Sequence, residues 1–331
     1  MNTTKSLWLT IICIQIVAVL ACSNGNTNNQ VDETPTISPT PTPVSITPGG
    51  IYAEIVTTDY MVGTNRLTVG LVDEASKTLI EDAEITIDIF YIDPKNGIYV
   101  NKGSYTPEPL RVERGYTHTH ADGVVESHGA GDIVVNIAQV DFDSEGNWVA
   151  EIKANRNGQS IANISAVLDV HREGQAHSVP VGWPAPRSVH KISSDVEDLF
   201  EIDTSSMPDP HMHDITIADA VTSGKPTLII FGTPGFCVSL TCGPTKEIVD
   251  DLYEQRKDEA HFIHIEPYDL AKARGGEGLR AIPLMGEWGL YTEPWIFMVD
   301  HNGNVFAKFE GLVGPEELRS TFADLMAFAY D

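Results

Sequence analysis

Cys237 and Cys242 are the residues in this sequence best placed to do chemistry, with Val238, Ser239, Leu240 and Thr241 between them. Two thiols this close can pair with each other, or one can attack a disulfide while the other resolves the product. A disulfide needs Cα atoms about 4.4–6.8 Å apart. A continuous helix would put positions five apart about 140° out of phase, so pairing requires a turn between the two cysteines. Histidines form further groups: His118 and His120 with His128, and His211 with His213. Alternate histidines on a strand share one face, which suits a metal, whereas loop histidines are more often solvated. His118, His120 and His128 stand as metal candidates, with no metal and no cofactor assigned. His261, His264 and His301 lie in no ligand motif. No paired-carboxylate, Ser-His-Asp or phosphate-loop pattern stands out, and the glycines at 275, 276 and 278 lack the strand–turn–helix setting of a nucleotide site.

The elements that must position the cysteines change character along the chain. Over residues 51–190, apolar and polar residues alternate, as at 66–72 and 84–90, where Ile85, Ile87 and Ile89 share a face. The stretches 133–142, 148–152 and 164–170 continue the pattern, with Gly, Asn and Asp turns between them. Period-two runs with short turns predict an antiparallel β-sandwich. From residue 195 the texture differs. A short helix is expected over 215–223, a buried strand over 225–231, and a helix over 244–256 after the cysteine loop. Strands follow at 261–266 and 295–300, then a turn at 301–304, a return strand at 305–310 and a C-terminal helix over 315–330.

The chain has 331 residues, enough for two domains of ordinary size. Its 47 Asp and Glu against 21 Lys and Arg give a net charge of −26. That excess argues against nucleic acid and against docking on anionic lipid by charge, since both need clustered basic residues. At the N-terminus, Lys5 precedes an apolar run over 7–20 that is shorter than the ~20 residues needed to span a bilayer. A positive start, a short apolar run and small residues before a cut read as a secretory signal. Residues 23–50 are Asn-rich, then Thr- and Pro-rich, and cannot bury a core, so a disordered or polyproline-like tether is expected over 22–50.

Val19, Leu20, Ala21 and Cys22 resemble the lipobox of bacterial lipoproteins. The resemblance implies that residues 1–21 are removed and that Cys22 carries lipid. It places the protein on the extracytoplasmic face of the cell membrane. Cys13 would leave with the signal peptide, making Cys237 and Cys242 the remaining thiol pair.

The region 195–331 resembles the thioredoxin-like proteins. Gly224, Lys225, Pro226 and the apolar run to Phe231 resemble the strand that leads to the redox loop in that family. The cysteines follow directly. Thr292, Glu293, Pro294 and Trp295 resemble the segment that carries the family's cis-proline, so the resemblance implies that Pro294 is cis and faces the cysteines. The cysteine spacing departs from Cys-x-x-Cys, and two registers fit. Cys237 can take the nucleophile's place, or Cys242, Gly243 and Pro244 can overlay Cys-Gly-Pro, with Thr245 where the second cysteine stands. The second register suits Pro244 in a first helical turn. It makes Cys242 the attacking thiol at a helix N-terminus.

Taken together, these readings predict a multidomain chain: an all-β immunoglobulin-like sandwich at 51–190 followed by an α/β thioredoxin-like domain at 195–331. The expected function is thiol–disulfide oxidoreduction through Cys237 and Cys242, with Pro294 beside them and protein thiols or disulfides as substrate. The alternatives are a redox-inactive or copper-binding module with a structural disulfide, and a peroxidase resembling peroxiredoxins on the strength of Thr233, Pro234 and Gly235.

Overall fold

The computed structural model describes residues 50–114, 117–119, 125–127, 131–172, 174–237 and 241–330. The expected signal peptide, the lipidation site Cys22 and the tether up to residue 49 lie outside the described residues, as do His120 and His128. His118 falls on the short strand Thr117–Thr119, which pairs with Val125–Ser127; its side chain lies outside the described part.

Alternation of apolar and polar residues builds the first two sheets. Along Gln159–His171, Ala162, Ile164, Ala166, Leu168 and Val170 point inward, and the residues between them are exposed. Glu84–Ile92 buries Ile85, Ile87 and Ile89 in the same way, with half-buried residues between them. One sheet runs in the order Ile51–Ile55, Gly63–Asp73, Gly131–Phe142, Glu108–Arg114, with Thr78–Leu79 paired to Gly63–Asp73. The other runs Tyr60–Met61, Gln159–His171, Gly146–Arg156, Glu84–Ile92, Tyr99–Tyr105. One apolar cluster draws side chains from both. At its centre Trp148 and Phe142 meet edge to face at 5.0 Å, and Trp148 Nε1 donates to the Ser144 carbonyl at 3.0 Å.

A third sheet has the order His261–Ile265, Thr227–Phe231, Trp295–Val299, Val305–Glu310. The first two strands are parallel and the other pairs antiparallel. Thr227–Phe231 is buried at every residue, because both faces of this sheet are covered. Leu228, Ile230, Ile296 and Met298 pack against the helices Cys242–Arg256 and Pro315–Tyr330. On the other face, Ile229, Phe231, Ile263 and Phe297 pack against the short helices Ile217–Ala220 and Pro283–Trp288.

The expected fold class, an all-β immunoglobulin-like sandwich followed by an α/β thioredoxin-like domain in a multidomain chain, is corrected by this architecture. Among the described residues, strands make up 40% and helices 21%. Three of the five α-helices, Ile217–Ala220, Leu270–Arg274 and Pro283–Trp288, have four to six residues. No clear α/β thioredoxin-like domain stands apart. The physical reason is a shared core. Ile133 and Val135, on the outer face of the first sheet, join Phe309, Leu318 and Phe322 in one cluster, with Leu110 and Val112 packed against it.

Polar contacts reinforce that junction. The Glu310 carboxylate accepts from Thr58 N at 2.7 Å, Thr58 Oγ1 at 2.6 Å and Thr292 Oγ1 at 2.5 Å. Arg66 Nη2 donates to the Leu312 carbonyl at 2.6 Å, and its Nε lies 3.3 Å from Glu317. Among the described residues no helix is long and apolar enough to cross a membrane.

Candidate functional site

The buried strand Thr227–Phe231 delivers the chain into a loop that ends at the helix Cys242–Arg256. The loop is anchored on both sides. Gly232 N donates to the Ile265 carbonyl at 3.0 Å, and Gly235 N donates to Thr204 Oγ1 at 2.8 Å. A Cβ at Gly235 would sit 2.7 Å from Thr204 Cβ, so this approach requires glycine. Thr241 takes the N-cap position without a side-chain cap bond, and Cys242 is the first residue of the helix.

A helix leaves its first N–H groups without intrahelical partners. Here the Cys242 N–H donates to Cys237 Sγ at 3.3 Å. Cys242 Sγ in turn donates to Glu293 Oε2. The two sulfurs and a Glu293 oxygen all lie within 4.8 Å of one another. Both cysteines are thiols in the structure. They differ in access: Cys237 is half-buried, whereas Cys242 is wholly buried.

Glu293 precedes Pro294, and the peptide between them is cis. Pro294 packs beside Gly232, where a Cβ would lie 3.6 Å from the proline's own Cβ. The Pro294 carbonyl accepts from Gly311 N at 2.8 Å, which ties this turn to the end of the return strand. Thus Cys237, Cys242 and Pro294 come together at one end of the third sheet. Sequence reasoning missed Glu293 as a member of the group. It lay inside the motif from Thr292 to Trp295, immediately before the proline, and that position was the available signal.

Burial dominates the electrostatics. It pushes the Cys242 thiol well above its ordinary range, helped by the hydrogen bond with Cys237 and the charge of Glu293. Burial also pushes the Glu293 carboxyl well up, with Cys237 adding to the effect, against hydrogen bonds from Cys242 and the Thr233 backbone. The expectation of a favoured thiolate at Cys242 therefore runs against its environment. The helix-start N–H meets Cys237 instead. Tyr268 is raised by its own burial and by the nearby Glu293. Glu266, deeper in the layer, is pushed up by burial to about 7. Its carboxylate accepts from Thr204 N at 2.7 Å and Thr204 Oγ1 at 2.5 Å.

Below the loop lies a second group. Asp203 Oδ2 stands 3.0 Å from His213 Nε2 and 3.1 Å from His264 Nδ1, and all three residues are buried. His213 comes from the His211 and His213 pair, but His211 is exposed and bonds Asp214 at 2.8 Å. His261 Nε2 lies 3.2 Å from Ser223 Oγ and His301 Nε2 lies 3.0 Å from Asn302, both away from this group. Asp203, His213 and His264 sit on three separate segments, so no local motif announced them.

No family model matches this sequence, and no similar protein was found among curated proteins.

Proposed function

We propose that the protein is a thiol–disulfide oxidoreductase in which Cys237 attacks and Cys242 resolves. The observation that carries this reading is the asymmetric wiring of the pair: the helix-start N–H of Cys242 is bonded to Cys237 Sγ, while Glu293 holds Cys242 Sγ. A backbone donor at a helix N-terminus is the kind of partner that favours a thiolate. Cys237 is also the more accessible sulfur. The roles are thus the reverse of those expected from the register of Pro244.

The Cys237 thiolate attacks one sulfur of a substrate disulfide. A mixed disulfide forms, and the other substrate sulfur leaves as a thiolate that takes a proton from solvent. The Cys242 thiol then gives its proton to the Glu293 carboxylate and attacks Cys237 Sγ. The second substrate sulfur leaves as a thiolate and takes that proton back from Glu293, and Cys237 is joined to Cys242. Two electrons have passed to the substrate, and a dithiol donor must reduce the pair before another turn. Run backwards, the same steps oxidise a substrate dithiol. Protein thiols or disulfides are the proposed substrates. The lipobox-like residues up to Cys22 support anchorage by lipid on the extracytoplasmic face of the cell membrane, where such pairs turn over.

The reduction potential of the pair tests this reading. A value above about −300 mV, with exchange activity on a model protein disulfide, is expected. A lower value without exchange would identify a loop staple.

A second reading rests on the convergence of two sulfurs and a carboxylate within 4.8 Å. Soft thiolates suit Cu(I). Copper that stays bound through dialysis and is lost on alkylation of the thiols would favour it.

A further inference from the structure

We propose that Asp203, His213 and His264 form a binding site for a divalent cation of the zinc class, separate from the cysteine pair. Two imidazoles and one carboxylate are the donor set that zinc takes. Asp203 Oδ2 lies 3.0 Å from His213 Nε2 and 3.1 Å from His264 Nδ1. Tetrahedral zinc with bonds near ~2.0–2.1 Å places its ligand atoms about 3.3 Å apart. Asp203 Oδ2 needs to move only a few tenths of an ångström from each nitrogen, and all three donor atoms lie within 4.8 Å of one another.

The outer contacts are those of an oriented ligand set. His264 Nε2 lies 2.9 Å from the Gly232 carbonyl, an acceptor, so Nε2 carries the proton and Nδ1 is left to face the group. That Nδ1 is buried and faces Asp203 Oδ2, a donor of the same group, at 3.1 Å. On Asp203, Oδ1 accepts from Ser205 N at 2.7 Å, which leaves Oδ2 for the group. All three side chains are at most 2% exposed. The elements involved are the 3-10 turn Pro210–His213, the strand His261–Ile265 and the segment before Thr204. An ion here would clip these segments together under the loop that carries Cys237, through the Gly232 carbonyl.

This assignment does not depend on the redox reading, and its test separates the two sites. Full-length protein carrying both Cys237→Ser and Cys242→Ser is dialysed against a chelator and titrated with zinc alone. One zinc per chain is expected, as in the wild type. Cobalt(II) substituted into wild-type protein is expected to give the visible bands of a four-coordinate ion without a thiolate charge-transfer band. His213→Gln and His264→Gln are each expected to weaken zinc binding by more than about 100-fold, since even outer-contact losses cost ~10–100-fold. Three results would overturn the proposal: less than a tenth of an equivalent bound, binding that disappears with the two cysteines, or a thiolate band in the cobalt spectrum. The first would leave the three residues as a buried hydrogen-bonded ion pair. The cysteine-free titration and the wild-type cobalt spectrum decide even where a histidine variant does not fold.

Discussion

Between the two facing sheets the buried side chains are Trp148, Phe142, Leu67, Ile87, Ile152 and their apolar neighbours. Beneath the cysteine loop, Asp203, His213, Lys246, His264 and Glu266 are buried to a similar degree. The buried charges contributed by the earlier residues, Asp59 and Arg66, pair outside the apolar cluster between the sheets, with Lys308 of the return strand and Glu317 of the C-terminal helix. Burying ionisable groups costs free energy unless they are paired, so they are kept where they serve more than packing. The facing sheets are organised for apolar burial. The layer under the loop is organised for charge and proton control, and it is there that the thiols sit.

The contrast can be broken most sharply at the thiols. Cys237→Ser is expected to lower disulfide exchange by at least ~1,000-fold, with little change in melting temperature, because exchange requires the attacking sulfur. Rates on a model disulfide beside a thermal melt check both halves. Trp148→Ala makes the opposite cut. Removing that ring from the sheet core is expected to cost about 3–5 kcal/mol of stability, read by denaturant unfolding, while the folded fraction keeps its exchange rate.

Glu293→Gln sharpens the picture inside the site. The amide cannot accept the Cys242 proton as the carboxylate does. The resolving step is expected to slow by ~100-fold, within the usual range for a general base, with formation of the mixed disulfide unchanged. Stopped-flow separation of the two phases checks it.

The smallest effect is expected at the junction of the two regions. Burial raises Glu310 above its ordinary carboxyl value of 4.5, although Thr292 and Thr58 donate to it. A carboxyl raised by folding holds its proton more tightly in the folded state. Its contribution is therefore full below the ordinary value and is lost as pH rises through the folded value. Glu310→Gln is expected to flatten the fall in stability above pH 4.5, checked by unfolding free energies across pH against the wild type.

How far the sequence reached differs between these same regions. Ile85, Ile87 and Ile89 alternate along a strand, and that period reveals a half-buried strand without any tertiary information. The apolar run ending at Phe231 likewise marks a strand covered on both faces. The helices were harder. Period and length suggest a separate α/β unit, but whether Phe322 faces a private core or shares one with Ile133 depends on contacts across nearly two hundred residues. For that reason the expected two-part fold class did not survive.

At the site, spacing singled out Cys237 and Cys242, and the proline motif singled out Pro294. The proposed order of attack is the reverse of the one expected from Pro244, because a proline in a first turn speaks to the helix start, not to which sulfur the first N–H meets. Glu293 was within a motif already in view. Asp203, His213 and His264 were not legible, because they meet only through the fold.

The central claim is that Cys237 attacks and Cys242 resolves. Each single serine variant, mixed with a small aromatic disulfide and analysed by intact-protein mass spectrometry, tests it most directly. The account predicts that Cys242→Ser accumulates a mixed disulfide on Cys237, while Cys237→Ser accumulates none. Trapping by Cys237→Ser, or by neither variant, would contradict it.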